Sequence, residues 1–384
     1  MTTKGLEGIV AAETRMSYVD GQAGELIIGG YALDEIAGRA TFDEVCYALW
    51  HLALDNTGDL PNAAQLDALR IEMAALRPVP PLALSIVKAA RDAPPMDALR
   101  MAASALSLDD PNPEDESLPA DFKRAKMLTA RVPVIVALHD RARRGLEPVA
   151  PRSDLSPAAN FLYMLDGKAP NPHAARALDT YWTTVIDHGM NASTFTARVI
   201  ASTQSDMVSA VTGAIGALKG PLHGGAPGPV LDMLVEIGSV DRAEVWIRDQ
   251  VARDRRIMGF GHRVYKVRDP RADVLSRAAR EMIEAGGGDK SLYDMATQVE
   301  QIVVRVLEEL KPGRNLKTNV EFYTALVLQS VGLRPDQFSA TFAAGRVAGW
   351  TAHILEQLAN NRLIRPASEY IGPRGLKVVP IEQR

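Results

Sequence analysis

In the stretch "IMGFGHRVYKVRDPR", residues 257–271, one histidine follows Gly-Phe-Gly, and Arg263, Lys266, Arg268 and Arg271 come within the next nine positions. The chain around it is acidic, with a formal net charge of −4. A local run of cations in an acidic chain is either a solvated loop or a surface turned toward an anion. Glycine beside a histidine lets backbone or ligand approach closely, at a cost in helix stability that a purely structural site avoids.

The chain has 384 residues, enough for two domains or for one large domain with an insertion. Hydrophobic residues make up 47% of it, so a sizeable core can be buried. The charge balance argues against a general nucleic-acid binder, and any attraction for anions must come from local clusters. The single cysteine, Cys46, excludes an internal disulfide framework and sits in the apolar run "VCYALW", where it reads as core rather than nucleophile. The opening "MTTKGLEGIV" shows no charged leader followed by an apolar core. The apolar run "VPVIVAL", residues 132–138, is too short to span a bilayer. The expectation is a soluble, cytoplasmic protein.

Near the start, "ETRMSYVDGQAGELIIGGY" breaks into two short extended pieces around Asp20-Gly21, a hairpin signal. Helical periodicity then dominates, over residues 62–76, 95–106, 123–144, 174–187, 191–204, 241–253, 272–285, 294–310, 320–331 and 335–361. Breakers separate these runs at "RPVPP" (77–81), "DDPNPEDES" (109–117) and "EAGGGDKS" (284–291). Six glycines and prolines crowd into residues 220–228, which suggests a change of domain there. "LKVVPI" near the C-terminus reads as a short strand or an extended tail. The pattern reads as mainly α.

Of seven histidines, three have glycine beside them: His188 in "DHGMNASTFTAR", His223 in "PLHGGA" and His262. Each alone reads as a loop histidine, but three together point to chemistry. No HExxH or comparable cluster supports a metal site, no GxSxG marks a serine hydrolase, and "GAIGALKG" is not a phosphate-binding Walker loop. In "ATFAAGRVAGWTAHILEQL", Arg346, Trp350, His353 and Gln357 recur at i, i+4, i+7, i+11 as one polar stripe. That stripe is either a solvated face or a buried seam whose arginine needs an anion. Glu321 carries two readings. Thr318-x-x-Glu321 fits a capping box, which local sequence favours, whereas Val320 and Phe322 beside the carboxylate would raise its pKa toward that of a useful base.

Taken together, "DHGMNASTFTAR", "KGPLHGG", "MGFGHRVYKVRDPRA", "NVEFYTA", "AGRVAGW", "NRLIRPASEYIG" and the N-terminal "GLEGIVAAETRMSYVDG" resemble the signature blocks of the citrate synthase family, across nearly the whole chain and in the family's order. The length matches the short, dimeric bacterial and archaeal members. The resemblance implies an all-α fold with a large domain (1–223 and 332–384), a small domain (224–331) and a cleft between them. It implies condensation of acetyl-CoA with oxaloacetate and hydrolysis of citryl-CoA, the first step of the tricarboxylic acid cycle, with no metal or redox cofactor. By position, Glu321 matches the base that takes the methyl proton, His223 the donor to the enolate oxygen, and His262 the acid toward the ketone of oxaloacetate. Arg271 and Arg346 match the carboxylate clamps, and His188 a hydrogen-bonding partner of the same substrate. Arg365 matches an arginine lent across a homodimer interface, and Lys266, Arg255 and Arg256 face the phosphates of coenzyme A.

Two positions depart from the pattern. The family usually carries aspartate where this chain has Glu321, and asparagine where it has Pro227. One extra methylene moves a carboxylate by about 1.5 Å, enough to matter for proton abstraction. The departures leave two other readings: a 2-methylcitrate synthase using propionyl-CoA, and a weakly active paralogue that binds CoA or a dicarboxylate.

Overall fold

The computed structural model describes residues 4–6, 8–224 and 228–384. Its helices are α1 (Leu33–Ile36), α2 (Phe42–Asp55), α3 (Ala63–Leu76), α4 (Pro81–Ala89), α5 (Pro95–Ser104), α6 (Leu118–Arg143), α7 (Pro157–Asp166) and α8 (Pro172–Val185). They continue as α9 (Ala192–Ser202), α10 (Met207–Leu218), α11 (Gly228–Ile237), α12 (Val240–Ala252), α13 (Pro270–Glu284), α14 (Lys290–Leu310), α15 (Val320–Ser330) and α16 (Phe338–Ala359). The all-α expectation holds, with one small addition. Strands β1 (Ser17–Asp20), β2 (Glu25–Ile28) and β3 (Tyr31–Ala32) form an antiparallel sheet, and β1–β2 is the hairpin signalled at Asp20-Gly21.

Local chemistry sets many helix starts. Thr41 and Glu44 close a capping box on α2, and Asn62 and Gln65 do the same for α3. Proline occupies the first turn of α4, α5, α6, α7, α8 and α13, where its missing N–H has no partner to lose. The "RPVPP" segment is therefore less a break than the lead-in to α4, which begins at Pro81.

The core is organised around α16, which packs on α6, α2, α9, α10 and α8 and is buried along nearly its whole length. A helix covered on every side carries its polar residues inward, so the stripe Arg346, Trp350, His353 and Gln357 is a buried seam and not a solvated face. A second group gathers near the C-terminal half: α13 packs on α15, α12 on α14, and α11 on α15. This group meets the rest chiefly where α13 and α15 lie against α8. Cys46 is buried, as core. Residues after Asn360 run extended without a strand, ending in a 3-10 turn at Ile381–Gln383. Among the described residues no helix is long and apolar enough to cross a membrane.

Candidate active site

The loop of residues 257–271 is zipped to the segment leading into α15. Gly261 N donates to Lys317 O at 2.7 Å, Asn319 N to Gly259 O at 2.9 Å, and Asn319 Nδ2 to Gly261 O at 2.9 Å. Gly259 and Gly261 both take φ +83°, and a methyl group on either would fall 2.9 Å from Phe322 or Leu316. Left-handed backbone and close packing together demand glycine here. The glycines serve to seat His262 tightly.

His262 leaves this zipper with its ring turned back on its own turn. Its Nδ1 accepts the amides of Val264 and Tyr265, both at 3.0 Å. These two donors outweigh the one longer approach of Arg271 Nη2 to Nε2 at 3.4 Å, which favours the proton of the neutral imidazole on Nε2. Burial pushes the His262 imidazole down to about 4, with the charges of Arg271 and Lys266 adding to the effect. At neutral pH the ring is an uncharged donor.

Two further histidines share that state. His188, at the end of the α8 connection, has its ring 5.9 Å from that of His262 and its Nε2 3.1 Å from the Tyr265 hydroxyl. Burial first, then Arg271 and Arg346, hold it well below the usual histidine range. His223 Nε2 lies 2.8 Å from Ser193 Oγ and accepts the Ser193 amide at 3.3 Å, which puts its proton on Nδ1. Ser193 Oγ in turn accepts Trp350 Nε1 at 3.0 Å. Burial, then Arg346, brings His223 down to about 4.

Arg271 follows Asp269-Pro270, the cap and first residue of α13. Asp269 Oδ1 accepts Arg271 Nε at 3.0 Å and Asp269 Oδ2 accepts Nη2 at 2.8 Å, a bidentate pair in which both residues are buried. Arg346 is only 1% exposed. Its Nε donates to Val185 O, its guanidinium carbon sits 4.8 Å from the Phe342 ring centre, and its terminal nitrogens find no partner among the described residues. Burial lowers its pKa to about 10, still cationic at neutral pH.

The capping-box reading of Glu321 is wrong. Asn319 caps α15, its Oδ1 accepting Glu321 N at 3.0 Å, while Thr318 is buried and donates its hydroxyl to Glu300 at 2.6 Å. The Glu321 carboxylate forms no hydrogen bond or ion pair among the described residues. Burial pushes it up to about 7 against the opposing pull of Arg271, with Asp269 adding to the rise and Arg346 opposing it. A carboxyl group balanced near neutrality is suited to proton transfer.

Six of the expected residues thus interact across one site: His188, His223, His262, Arg271, Glu321 and Arg346 are linked by direct contacts or by the charges of the two arginines. Lys266 is exposed beside His262, its Nζ on Arg263 O at 3.2 Å. Arg255 and Arg256 are exposed just beyond α12. Arg365 is not brought to the histidines within this chain. It lines a separate cavity of about 730 Å³ with Arg15, Arg198 and Arg362. Pro227 lies outside the described residues. Sequence reasoning missed Asp269, Ser193 and Tyr265; only Asp269 carried a signal, as the residue before a helix-starting proline. No three His, Cys, Asp or Glu side chains among the described residues are gathered as a metal ion would require.

A near-neutral carboxyl group, neutral imidazoles with assigned donor nitrogens and two buried guanidiniums define an acid–base enzyme for an anionic substrate. Residues 5–367 match the family model described as "Citrate synthase, C-terminal domain". "Citrate synthase 2" of Bacillus subtilis is 44% identical over 384 residues, covering 100% of this chain and 99% of that protein. A "2-methylcitrate synthase" of Mycobacterium tuberculosis is 39% identical over 370 residues, covering 96% and 90%. The solved ternary complex of Thermoplasma acidophilum citrate synthase with carboxymethyl coenzyme A and oxaloacetate superposes with a TM-score of 0.89 at 30% identity, covering 100% of both chains. The chain belongs to the citrate synthase family.

Proposed function

We propose that the protein condenses acetyl-CoA with oxaloacetate and hydrolyses the resulting citryl-CoA to citrate and free CoA. The observation that carries this reading is the pairing of a Glu321 carboxyl group lifted to about 7 with a neutral His262 whose proton sits on Nε2. Glu321 takes a methyl proton from the thioester, and His223, with its proton on Nδ1, donates to the enolate oxygen. The enol carbon attacks the ketone carbon of oxaloacetate, and His262 Nε2–H delivers a proton to the oxygen that becomes the citryl hydroxyl. Arg271 and Arg346 hold the two carboxylates of oxaloacetate with help from His188. Water then cleaves the thioester. The thioester is a substrate, and these steps call on no metal or redox cofactor.

Residues 224–331 act as a small domain closing on residues 1–223 and 332–384, which excludes water during enolisation. Lys266, Arg255 and Arg256 meet the CoA phosphates. The protein works as a homodimer in the cytoplasm, at the entry to the tricarboxylic acid cycle, and Arg365 reaches the partner's site. Support for the dimer comes from the C-terminal residues, where Ile371, Leu376 and Val378 are 91%, 80% and 91% exposed on the single chain. Mixing Arg365→Ala with His262→Ala tests the sharing: activity returns in mixed dimers if Arg365 crosses, and stays absent under confirmed subunit exchange if it does not.

Propionyl-CoA chemistry is the second reading, carried by the mycobacterial relative, because one methylene changes pocket affinity by only about 10–200-fold. Thiol release with oxaloacetate decides among the alternatives. Citrate synthesis requires a higher kcat/KM for acetyl-CoA than for propionyl-CoA. The reverse order marks a 2-methylcitrate synthase, and binding without turnover marks a paralogue that only binds.

A further inference from the structure

The β1–β2 hairpin touches both oxaloacetate-facing histidine loops at once. At its base, Ser17 Oγ donates to Asp187 Oδ2 at 2.5 Å and accepts Gly189 N at 2.7 Å, so one hydroxyl grips the residues on either side of His188. Asp187 is held from behind by His353 Nε2 at 3.2 Å, on the buried helix α16. At the hairpin tip, Lys266 N donates to Gly21 O at 2.8 Å. The two preceding amides, of Val264 and Tyr265, are the ones that hold His262 Nδ1. Three consecutive amides therefore divide between the His262 ring and the hairpin.

The tip is also fitted to that loop sterically. A methyl group at Gly21 would lie 2.2 Å from the Val264 carbonyl oxygen, and one at Gly24 would lie 2.7 Å from Val267 Cγ2. Asp20 stiffens the turn between them, its Oδ1 accepting Gln22 N at 2.8 Å and Ala23 N at 2.9 Å. A four-residue strand paired in register with its neighbour cannot stretch, so its two ends sit at a fixed span.

We infer that the β1–β2 hairpin is a gauge that sets the spacing between the His188 and His262 rings, with Ser17 and Gly21 as positioning residues at its two ends. Neither residue belongs to the acid–base set; each acts through the loop it grips. The functional consequence rests on the reading of His188 and His262 as oxaloacetate ligands, while the geometric claim stands apart from it.

Two variants and two kinds of readout test the gauge. In crystals of Gly21→Ala, the added methyl group displaces the Val264–Lys266 turn and changes the 5.9 Å ring separation of His188 and His262. Oxaloacetate affinity by calorimetry falls about 10- to 100-fold, the scale of a 1 Å misplacement in a preorganised site. Ser17→Ala, which adds no bulk, raises KM for oxaloacetate with KM for acetyl-CoA unchanged. If Gly21→Ala does not fold, Ser17→Ala and its ring separation decide. Wild-type ring spacing and oxaloacetate affinity in the variants overturn the proposal, and so does a parallel loss of both KM values and of melting temperature, which marks general destabilisation. If wild type binds no oxaloacetate, the proposed function falls, while the ring separation still tests the gauge.

Discussion

Asp269 clasps Arg271 through both carboxylate oxygens, at 3.0 and 2.8 Å, and the same two oxygens also accept the backbone amides of Arg271 and Val320. One buried side chain thus caps α13, aims the arginine and ties down the start of α15, whose second residue is Glu321. The cation and the carboxyl group proposed to act on opposite substrates are registered to each other through a third residue. Charge and position are set together.

Removing that charge costs more than a hydrogen bond. Asp269→Asn leaves the guanidinium of Arg271 buried beside a neutral amide, and breaking a buried pair on one side costs about 3–5 kcal/mol. The expected outcome is a large fall in the denaturant midpoint together with a raised KM for oxaloacetate. Wild-type stability with wild-type KM would show that Asp269 does not organise the site.

Much of this arrangement was legible in the chain, for reasons that differ by residue. Helix α3, with Asn62 as its cap and a polar–apolar period behind it, announces itself locally, whereas the same capping box at Thr41 and Glu44 does not by itself reveal α2. Helices α2, α4, α7, α10 and α11 went unread because runs rich in apolar residues blur the helical period, and α1 because a single turn shows no period at all. The cap of α15 was misassigned for a tertiary reason: Glu300, from another helix, takes the Thr318 hydroxyl, and Asn319 is left to cap. The histidines and arginines stood out by their glycine neighbours and by resemblance. Tyr265 and Ser193 had no such mark, since their partners lie 77 and 30 residues away.

The raised pKa of Glu321 makes a prediction about pH. The base must be ionised, so kcat/KM rises with pH through about 7 and levels off above it. His223 and His262, both near 4, stay neutral across that window and add no inflection of their own. Glu321→Gln loses about 10²–10⁴ in kcat and the limb near 7 with it. A variant that keeps the limb assigns it to another group.

Arg346 has terminal nitrogens without partners among the described residues, in a position where lysine cannot reproduce a planar two-point contact. Arg346→Lys keeps the charge and weakens oxaloacetate binding about 10-fold or more, by loss of one charge-assisted hydrogen bond. The change falls on KM for oxaloacetate, and KM for the thioester stays near its wild-type value. Equal effects on both substrates would mean that Arg346 supports the fold and not the ligand.

Asp179 supplies a prediction about stability away from the site. Its buried carboxylate accepts the Phe42 amide, at 3.3 and 3.2 Å to its two oxygens, at the start of α2. Burial, with the charge of Asp43 adding, pushes it up to about 7. A carboxyl group whose folded pKa lies above its unfolded value stabilises fully below the unfolded value, and that contribution is lost as pH rises through the folded one. Wild type therefore loses stability from this residue between about pH 4 and about pH 7, where an amide has nothing to ionise. In Asp179→Asn the deficit relative to wild type shrinks by on the order of 2 kcal/mol from about pH 5 to about pH 8. Thermal or denaturant unfolding of both proteins at the two pH values measures this directly. A difference that does not change with pH would place the Asp179 pKa near that of an ordinary carboxylate.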